Sequence, residues 1–151
     1  MRRMTSALRL IGLVAGLAMG VGCSEKTGAD NFAGTWTYAG AINPNCMDVA
    51  PIDLTGSVAT ITATDSSHIV MNIVGFCMVK FDVDGFVATA SAGQTCSLMI
   101  PGLGAVPVAI TRWTMTASGN VISSDVTGSA FGCVPGGTGT LTRQGDAGAV
   151  D

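Results

Sequence analysis

Alternation of apolar and small polar residues, broken by short turns, runs through about a hundred residues from Phe32 onward. The helical spacing of apolar residues at i, i+3 and i+4 does not recur over a useful length there. With 21 glycines and only 11% charged residues, this chain is too apolar for disorder and too rich in glycine for a helical bundle. The sequence therefore predicts one all-β domain over residues 32–143.

Eight extended segments are predicted between turn signals. They are Gly34–Ala41, Ile52–Ala63, His68–Gly75, Met78–Val83, Phe86–Ala92, Val106–Ala117, Val121–Ala130 and Gly137–Arg143. If successive strands run up and down, the three short turns fall at one end of the sheet. The longer connections, which include Ile42–Pro51, Gly93–Ala105 and Phe131–Gly136, then fall at the other end. This organisation predicts an eight-stranded antiparallel up-and-down barrel.

The clearest hairpin signal is Asp84-Gly85, a dipeptide typical of type I′ turns. A two-residue loop there places Val83 opposite Phe86 and Phe81 opposite Ala88. One face of the hairpin is then apolar and the other polar, as a packed interior requires.

The N-terminal residues show the pattern of an export signal. Arg2 and Arg3 precede an apolar stretch, Leu10–Val21, that is short for a membrane-spanning helix of roughly 20 residues. We predict a signal peptide over residues 1–22; an N-terminal anchor helix is the alternative.

Gly20-Val21-Gly22-Cys23 resembles the lipobox of bacterial lipoproteins. The resemblance implies that Cys23 is lipid-modified and that its acyl chains attach the protein to the cell envelope. Ser24 favours the outer membrane by the same resemblance. Residues 23–31 are expected to form a flexible tether and residues 144–151 a frayed tail. Ordinary signal cleavage after Ala18-Met19-Gly20 remains the alternative.

Removal of residues 1–22 changes the charge balance. The 7 basic residues fall to 4 while all 10 acidic residues remain, so the mature chain has a net charge of −6. This balance argues against a nucleic-acid partner and against electrostatic binding to anionic lipid.

Five cysteines are present, an odd number that acylation of Cys23 explains. The other four are expected in disulfides, because export leads to an oxidising compartment and no C-x-x-C pair suggests zinc. A closed barrel favours Cys77–Cys96 with Cys46–Cys133. The pairing of Cys46 with Cys77 and of Cys96 with Cys133 remains possible.

Gly34-Thr35-Trp36 in the first strand, together with Arg143 in the last, resembles the calycin group, which includes lipocalins, fatty-acid-binding proteins and avidins. In lipocalins a late basic residue packs over the indole of this tryptophan. The resemblance implies that Trp36 and Arg143 meet where the barrel closes, in a cation–π contact. It also implies that a small apolar ligand binds inside the barrel. The candidate lining residues are Trp36, Tyr38, Ile69, Met71, Phe81 and Phe86, and a side-chain-filled core is the alternative.

No residue constellation in the sequence indicates catalysis, a metal or a cofactor. Asp65, Ser67 and His68 offer the groups of a triad, but they lie too close together in one turn to adopt its geometry. Asp48 and Asp53 form a weak calcium candidate without a loop motif. We therefore predict no enzyme. Two functions remain: a lipid-anchored envelope protein that binds a small apolar ligand in its barrel, or a structural or adhesive protein that acts through its disulfide-tied loops.

Overall fold

The computed structural model of the protein describes residues 26–45, 49–100 and 102–145. Apart from a 3₁₀ turn at Ala29–Asn31, its regular structure is all β. The strands are β1 (Gly34–Ile42), β2 (Ile52–Asp53), β3 (Val58–Ala63), β4 (His68–Ile73), β5 (Cys77–Asp84), β6 (Val87–Ala90), β7 (Thr95–Ile100), β8 (Gly104–Ser118), β9 (Val121–Ser129) and β10 (Gly136–Arg143).

Eight of these strands form a closed antiparallel barrel. Its order is β1-β3-β4-β5-β6-β8-β9-β10, and β10 pairs with β1 to complete the circle. The predicted all-β barrel is thus confirmed. The short strands β2 and β7 lie outside this circle, β2 pairing with β1 and β7 with β8.

The short turns share one end of the barrel, as predicted. They are Thr64–Ser67, Gly85–Phe86 and Gly119–Asn120, and we call this the Trp36 end. The connections that follow β1, β4, β7 and β9 share the opposite end, which we call the disulfide end.

Alternating burial along the strands follows the alternation in the sequence. In β7, for example, Cys96, Leu98 and Ile100 are buried while the residues between them are exposed. Inward side chains fill the barrel, and Phe81 meets Trp113 edge to face, with ring centroids 5.7 Å apart. A second apolar cluster at the disulfide end includes Ile42 and Val108.

Two predicted segments differ in the structure. The predicted strand Ile52–Ala63 is interrupted between β2 and β3, where the amides of Leu54 and Gly56 donate to carbonyls of β1. The predicted loop Gly93–Ala105 is also wrong, because it contains β7 and the start of β8, which form a hairpin. Pro101-Gly102, a turn signal between two alternating runs, could have indicated it.

Gln94 accommodates the break between β6 and β7. Its side-chain amide accepts a hydrogen bond from the backbone amide of Lys80 and donates one to the Lys80 carbonyl, both at 2.7 Å. The side chain thereby takes the place of a missing strand residue beside β5, and β7 continues along β8 toward the disulfide end.

The hairpin of β5 and β6 turns one residue later than predicted. Phe81 pairs with Ala90 and Val83 with Ala88, so the loop residues are Gly85 and Phe86. Only Gly85 has a positive φ, 58°, as a type II′ turn requires, rather than both residues as in type I′. The shift by two keeps Phe81, Val83, Ala88 and Ala90 on their predicted face, whereas Phe86 moves into the turn. The packing of Gly28 against Gly85, a contact between distant parts of the chain, accompanies this register.

The folded part extends beyond both predicted limits. Ala29 and Phe32 are fully buried, so the tether predicted to reach Asn31 is corrected to end before the 3₁₀ turn. At the other terminus, Gln144 donates from its backbone and side chain to Thr35 and Thr37 of β1. The signal peptide, Cys23 and residues 146–151 lie outside the described residues.

The predicted Cys77–Cys96 disulfide is present, with Cα atoms 5.1 Å apart, and it joins β5 to β7. Cys46 lies outside the described residues, so the Cys46–Cys133 pairing stays a prediction. Near it, the Asn45 side chain donates to the carbonyl of Val134 at 2.8 Å, which brings the two loops together.

Candidate binding site at the disulfide end

The Trp36 end is closed by the contact that the sequence predicted. Trp36 and Arg143 are paired residues of β1 and β10, and the guanidinium carbon lies 4.3 Å from the centroid of the indole ring. Arg143 also donates to the carbonyls of Ala33 (2.7 Å) and Asn31 (3.3 Å). The indole nitrogen donates to Phe32 O at 2.8 Å. These contacts cover the indole ring, and Trp36 is fully buried.

The residues proposed to line a ligand cavity pack into the core instead. Trp36, Tyr38, Ile69, Met71 and Phe81 are all at most 3% exposed. Phe86 is wrongly placed inside the barrel by the prediction, because the later turn position leaves its ring 61% exposed. The filled core agrees with the alternative stated for the barrel interior.

A polar contact is built into this core. The Trp113 indole donates to the buried Ser124 hydroxyl at 2.9 Å. Tyr38 lies beside the same serine; burial raises the pKa of Tyr38, and the hydrogen bond with Ser124 offsets part of that shift. Among the described residues, no buried side-chain nitrogen or oxygen lacks a hydrogen-bond partner. The contact satisfies polar groups and leaves none facing a ligand.

Only a small apolar void separates the two clusters. It has a volume of about 30 Å³ and is bordered by Trp113 below and by Ile42, Leu98 and Val108 above. This is the space of one water molecule, and its walls are apolar. A ligand larger than water therefore has no room at this depth.

A larger space opens at the disulfide end, and we call it the mouth groove. Its volume is about 200 Å³. The β7–β8 hairpin forms one wall, and the loops after β1 and β9 form the other. The lining residues are Leu98, Ile100, Leu103, Val106 and Val108 of the hairpin and Pro44, Val49, Ala130, Phe131, Cys133 and Pro135 of the loops. Nearly all of these side chains are apolar, so the groove suits an apolar group.

Large apolar side chains are exposed at the disulfide end, and two of them, Leu103 and Phe131, border the groove. Val74, Met99, Leu103, Phe131 and Val134 are each more than half exposed. Sequence reasoning missed these residues as a group, because they come from three separate parts of the chain. Their only common signal in the sequence is the absence of charged residues from 86–111 and 126–142.

His68 lies outside this region, in the turn at the Trp36 end. Its Nδ1 is 2.8 Å from Asp65 and 3.3 Å from the Ser67 hydroxyl, while its Nε2 is 3.4 Å from Asp82. In a catalytic triad the serine and the carboxylate contact different ring nitrogens, whereas here both contact Nδ1. The backbone amide of Ser67 and the His68 ring lower the pKa of Asp65. The arrangement is a hydrogen-bonded turn.

The described residues also bear on the metal candidates and on membrane-spanning helices. No group of three potential metal-ligating side chains occurs in residues 26–45, 49–100 and 102–145. Asp53 caps its own turn by accepting from Thr55, whose hydrogen bonds lower the Asp53 pKa, and Asp48 lies outside the described residues. The described part of the chain also contains no helix long and apolar enough to span a bilayer.

Comparison with known proteins adds no relative: no protein family, curated protein or solved structure matches this chain.

Proposed function

We propose that this protein is exported, anchored to the cell envelope by acyl chains on Cys23, and acts there by binding an apolar group of a partner molecule in the mouth groove. The observation that carries the proposal is the groove itself, an uncharged apolar space of about 200 Å³ at the rim of a filled barrel. Exposed apolar surface of this kind is typical of interaction sites on soluble domains.

The size of the groove limits what it binds. A cavity of about 150 Å³ accommodates benzene, and pockets for larger organic ligands measure about 300–1,000 Å³. The mouth groove therefore fits one aromatic ring or one branched aliphatic group. The proposed binding site is therefore at the rim of the barrel, whereas the sequence suggested its interior.

Attachment and binding would then occupy opposite ends. The described chain begins at Lys26, beside the Trp36 end. The three residues from Cys23 to Glu25 span at most about 11 Å when extended. The Trp36 end would lie close to the bilayer, and the mouth groove would face away from it.

A distant relationship to the calycin group is part of the proposal. The closed eight-stranded barrel and the Trp36–Arg143 contact support it. The filled interior is a difference from the ligand-carrying members of that group.

The test uses residues 24–151 exported on a conventional signal sequence, with fluorobenzene, a single uncharged ring, as the apolar probe followed by fluorine NMR. We expect saturable binding of one fluorobenzene per chain. Ala130→Phe, which adds a ring inside the groove, should weaken binding at least tenfold. Val121→Phe, which adds the same ring at an exposed position of the Trp36 end, is the matched control. Unsaturable binding, or equal binding by the two variants, would refute the proposal.

A further inference from the structure

We infer that the apolar group bound in the mouth groove is Phe131 of a second copy of this chain, so that two chains join at their disulfide ends. The inference rests on the proposed function, because it uses the same groove and names its occupant. Three observations carry it: the conformation of Phe131, the size of the groove and the distribution of charge.

Phe131 occupies a position that local energetics does not favour. It forms a two-residue turn with Gly132 between the paired residues Ala130 and Cys133. Both turn residues have positive φ, 48° for Phe131 and 77° for Gly132, as in a type I′ turn. Asn, Asp and Gly are preferred there, because a left-handed conformation strains other residues. Phe131 adopts this conformation despite the strain, and the residue is 84% exposed. Such a combination indicates that the ring is needed on the surface.

The ring and the groove also match in size and position. A benzene ring fits a cavity of about 150 Å³, and the groove offers about 200 Å³. Phe131 borders the groove of its own chain while its ring stays exposed to solvent. In a two-fold dimer each contact occurs twice, with the partners reversed. Because Phe131 lies next to a groove of matching size, the ring of each chain can enter the groove of the other chain close to the two-fold axis.

The distribution of charge allows the disulfide ends of two chains to come into contact. Two molecules with a predicted net charge of −6 repel each other over most of their surfaces. Asp53, in β2, is the one charged side chain among the described residues of the connections β1–β3, β4–β5, β7–β8 and β9–β10. Asp48 lies outside the described residues. The Trp36 end, in contrast, includes Asp30, Asp65 and Asp84. A second copy can therefore approach the groove without facing a cluster of like charges.

A lipid surface is the main alternative occupant for exposed apolar loops. The proposed anchor leaves the chain at the opposite end, which directs the groove away from the bilayer that holds it. We therefore commit to the second copy and make lipid an outcome of the test.

The experiment is photo-crosslinking of the full-length chain in the cells that produce it, with benzoylphenylalanine in place of Leu103 on the groove rim. We expect a crosslinked species of twice the mass of the chain, identified as a dimer by two epitope tags. Phe131→Asn, which removes the ring and suits the turn, should reduce this species at least tenfold without lowering the melting temperature of the purified protein. Phe86→Asn is the matched control, because Phe86 is also an exposed phenylalanine in a two-residue turn, and it should leave the yield unchanged.

A complementation step separates this contact from a general loss of folding. Ala130→Phe blocks the groove and should also reduce the dimer. When the Phe131→Asn and Ala130→Phe chains are produced together with different tags, one intact ring still meets one open groove. We expect the mixed dimer to return to an intermediate yield.

Crosslinking to lipid or to a different protein, the monomer alone, or a dimer unaffected by Phe131→Asn would each overturn the inference. The proposed function would survive these results if fluorobenzene still bound saturably and Ala130→Phe still weakened its binding.

Discussion

The two ends of the barrel differ in how their apolar side chains are covered. At the Trp36 end, the indole ring is covered by the Arg143 guanidinium and hydrogen-bonded to Phe32, and short turns with acidic residues surround it. At the disulfide end, a hairpin and several loops leave an apolar groove open to solvent. The Trp36 end thus covers its tryptophan, whereas the disulfide end leaves an apolar groove uncovered. A domain that is tightly closed at one end can retain exposed apolar surface at the other.

The largest expected effect on stability comes from truncating a buried side chain at each end, Trp36 at one and Leu98 at the other. Trp36→Ala deletes a fully buried indole, its hydrogen bond and its cation–π contact, and should lower the free energy of unfolding by about 3–5 kcal/mol. Leu98→Ala, on the wall of the groove, should cost about 2 kcal/mol, the low end for this substitution, because the groove side makes fewer contacts. Urea unfolding measures both losses. Equal losses would show that the two ends contribute alike.

The disulfide tests whether the β7–β8 hairpin depends on its covalent link. Cys77→Ser with Cys96→Ser should cost roughly 3 kcal/mol, because the bridge closes a loop with a sequence separation of 19. Hydrogen exchange should show lost protection in β7, which otherwise pairs with β8 alone, while β1 and β10 keep theirs. Uniform loss of protection across all strands would mean that the barrel unfolds as one unit and that the ends are not distinct.

The smallest effect concerns the turn at Thr64–Ser67. The Ser67 amide and the His68 ring hold the pKa of Asp65 below its ordinary value. A lowered pKa in the folded state stabilises the protein above the unfolded pKa of about 3.9, and this contribution disappears as the pH falls through the folded value. Asp65→Asn should therefore be slightly less stable than the wild type at pH 7, and the difference should shrink as the pH falls below the unfolded pKa. A difference that does not change with pH would contradict the assignment.

Sequence patterns predicted most of the barrel because strand faces and turns are local properties. The alternation in His68–Ile73 placed Ile69, Met71 and Ile73 on the inner face, where they are buried. The same reasoning failed at β7, because glycine and proline around Thr95–Ile100 indicated a loop. Pairing with the first half of β8 and the amide of Gln94 stabilise that strand, and both are contacts between separate segments.

The candidate site was predictable only in part. The cysteines and longer loops indicated which end of the barrel was unusual. The Cys77–Cys96 pair was predicted because the two cysteines lie in neighbouring connections at that end. Phe131 and the groove were not predicted, because a groove depends on how side chains from a hairpin and two loops fill a shared space. The isolated signal, a phenylalanine before a glycine in a short loop, is too common to indicate an exposed ring.

By itself, the sequence determined the all-β class and the inward face of residues such as Ile69, Met71 and Phe81, because period-two alternation and turn residues act over short distances. The contact of Trp36 with Arg143 joins distant segments and was expected from the resemblance to the calycin group. Only the tertiary structure decided that the interior is filled and that the open apolar space lies at the disulfide end. The reason is that the volume left inside a barrel is a small difference between the enclosed space and the summed volumes of side chains from all its strands. No single segment contains that difference.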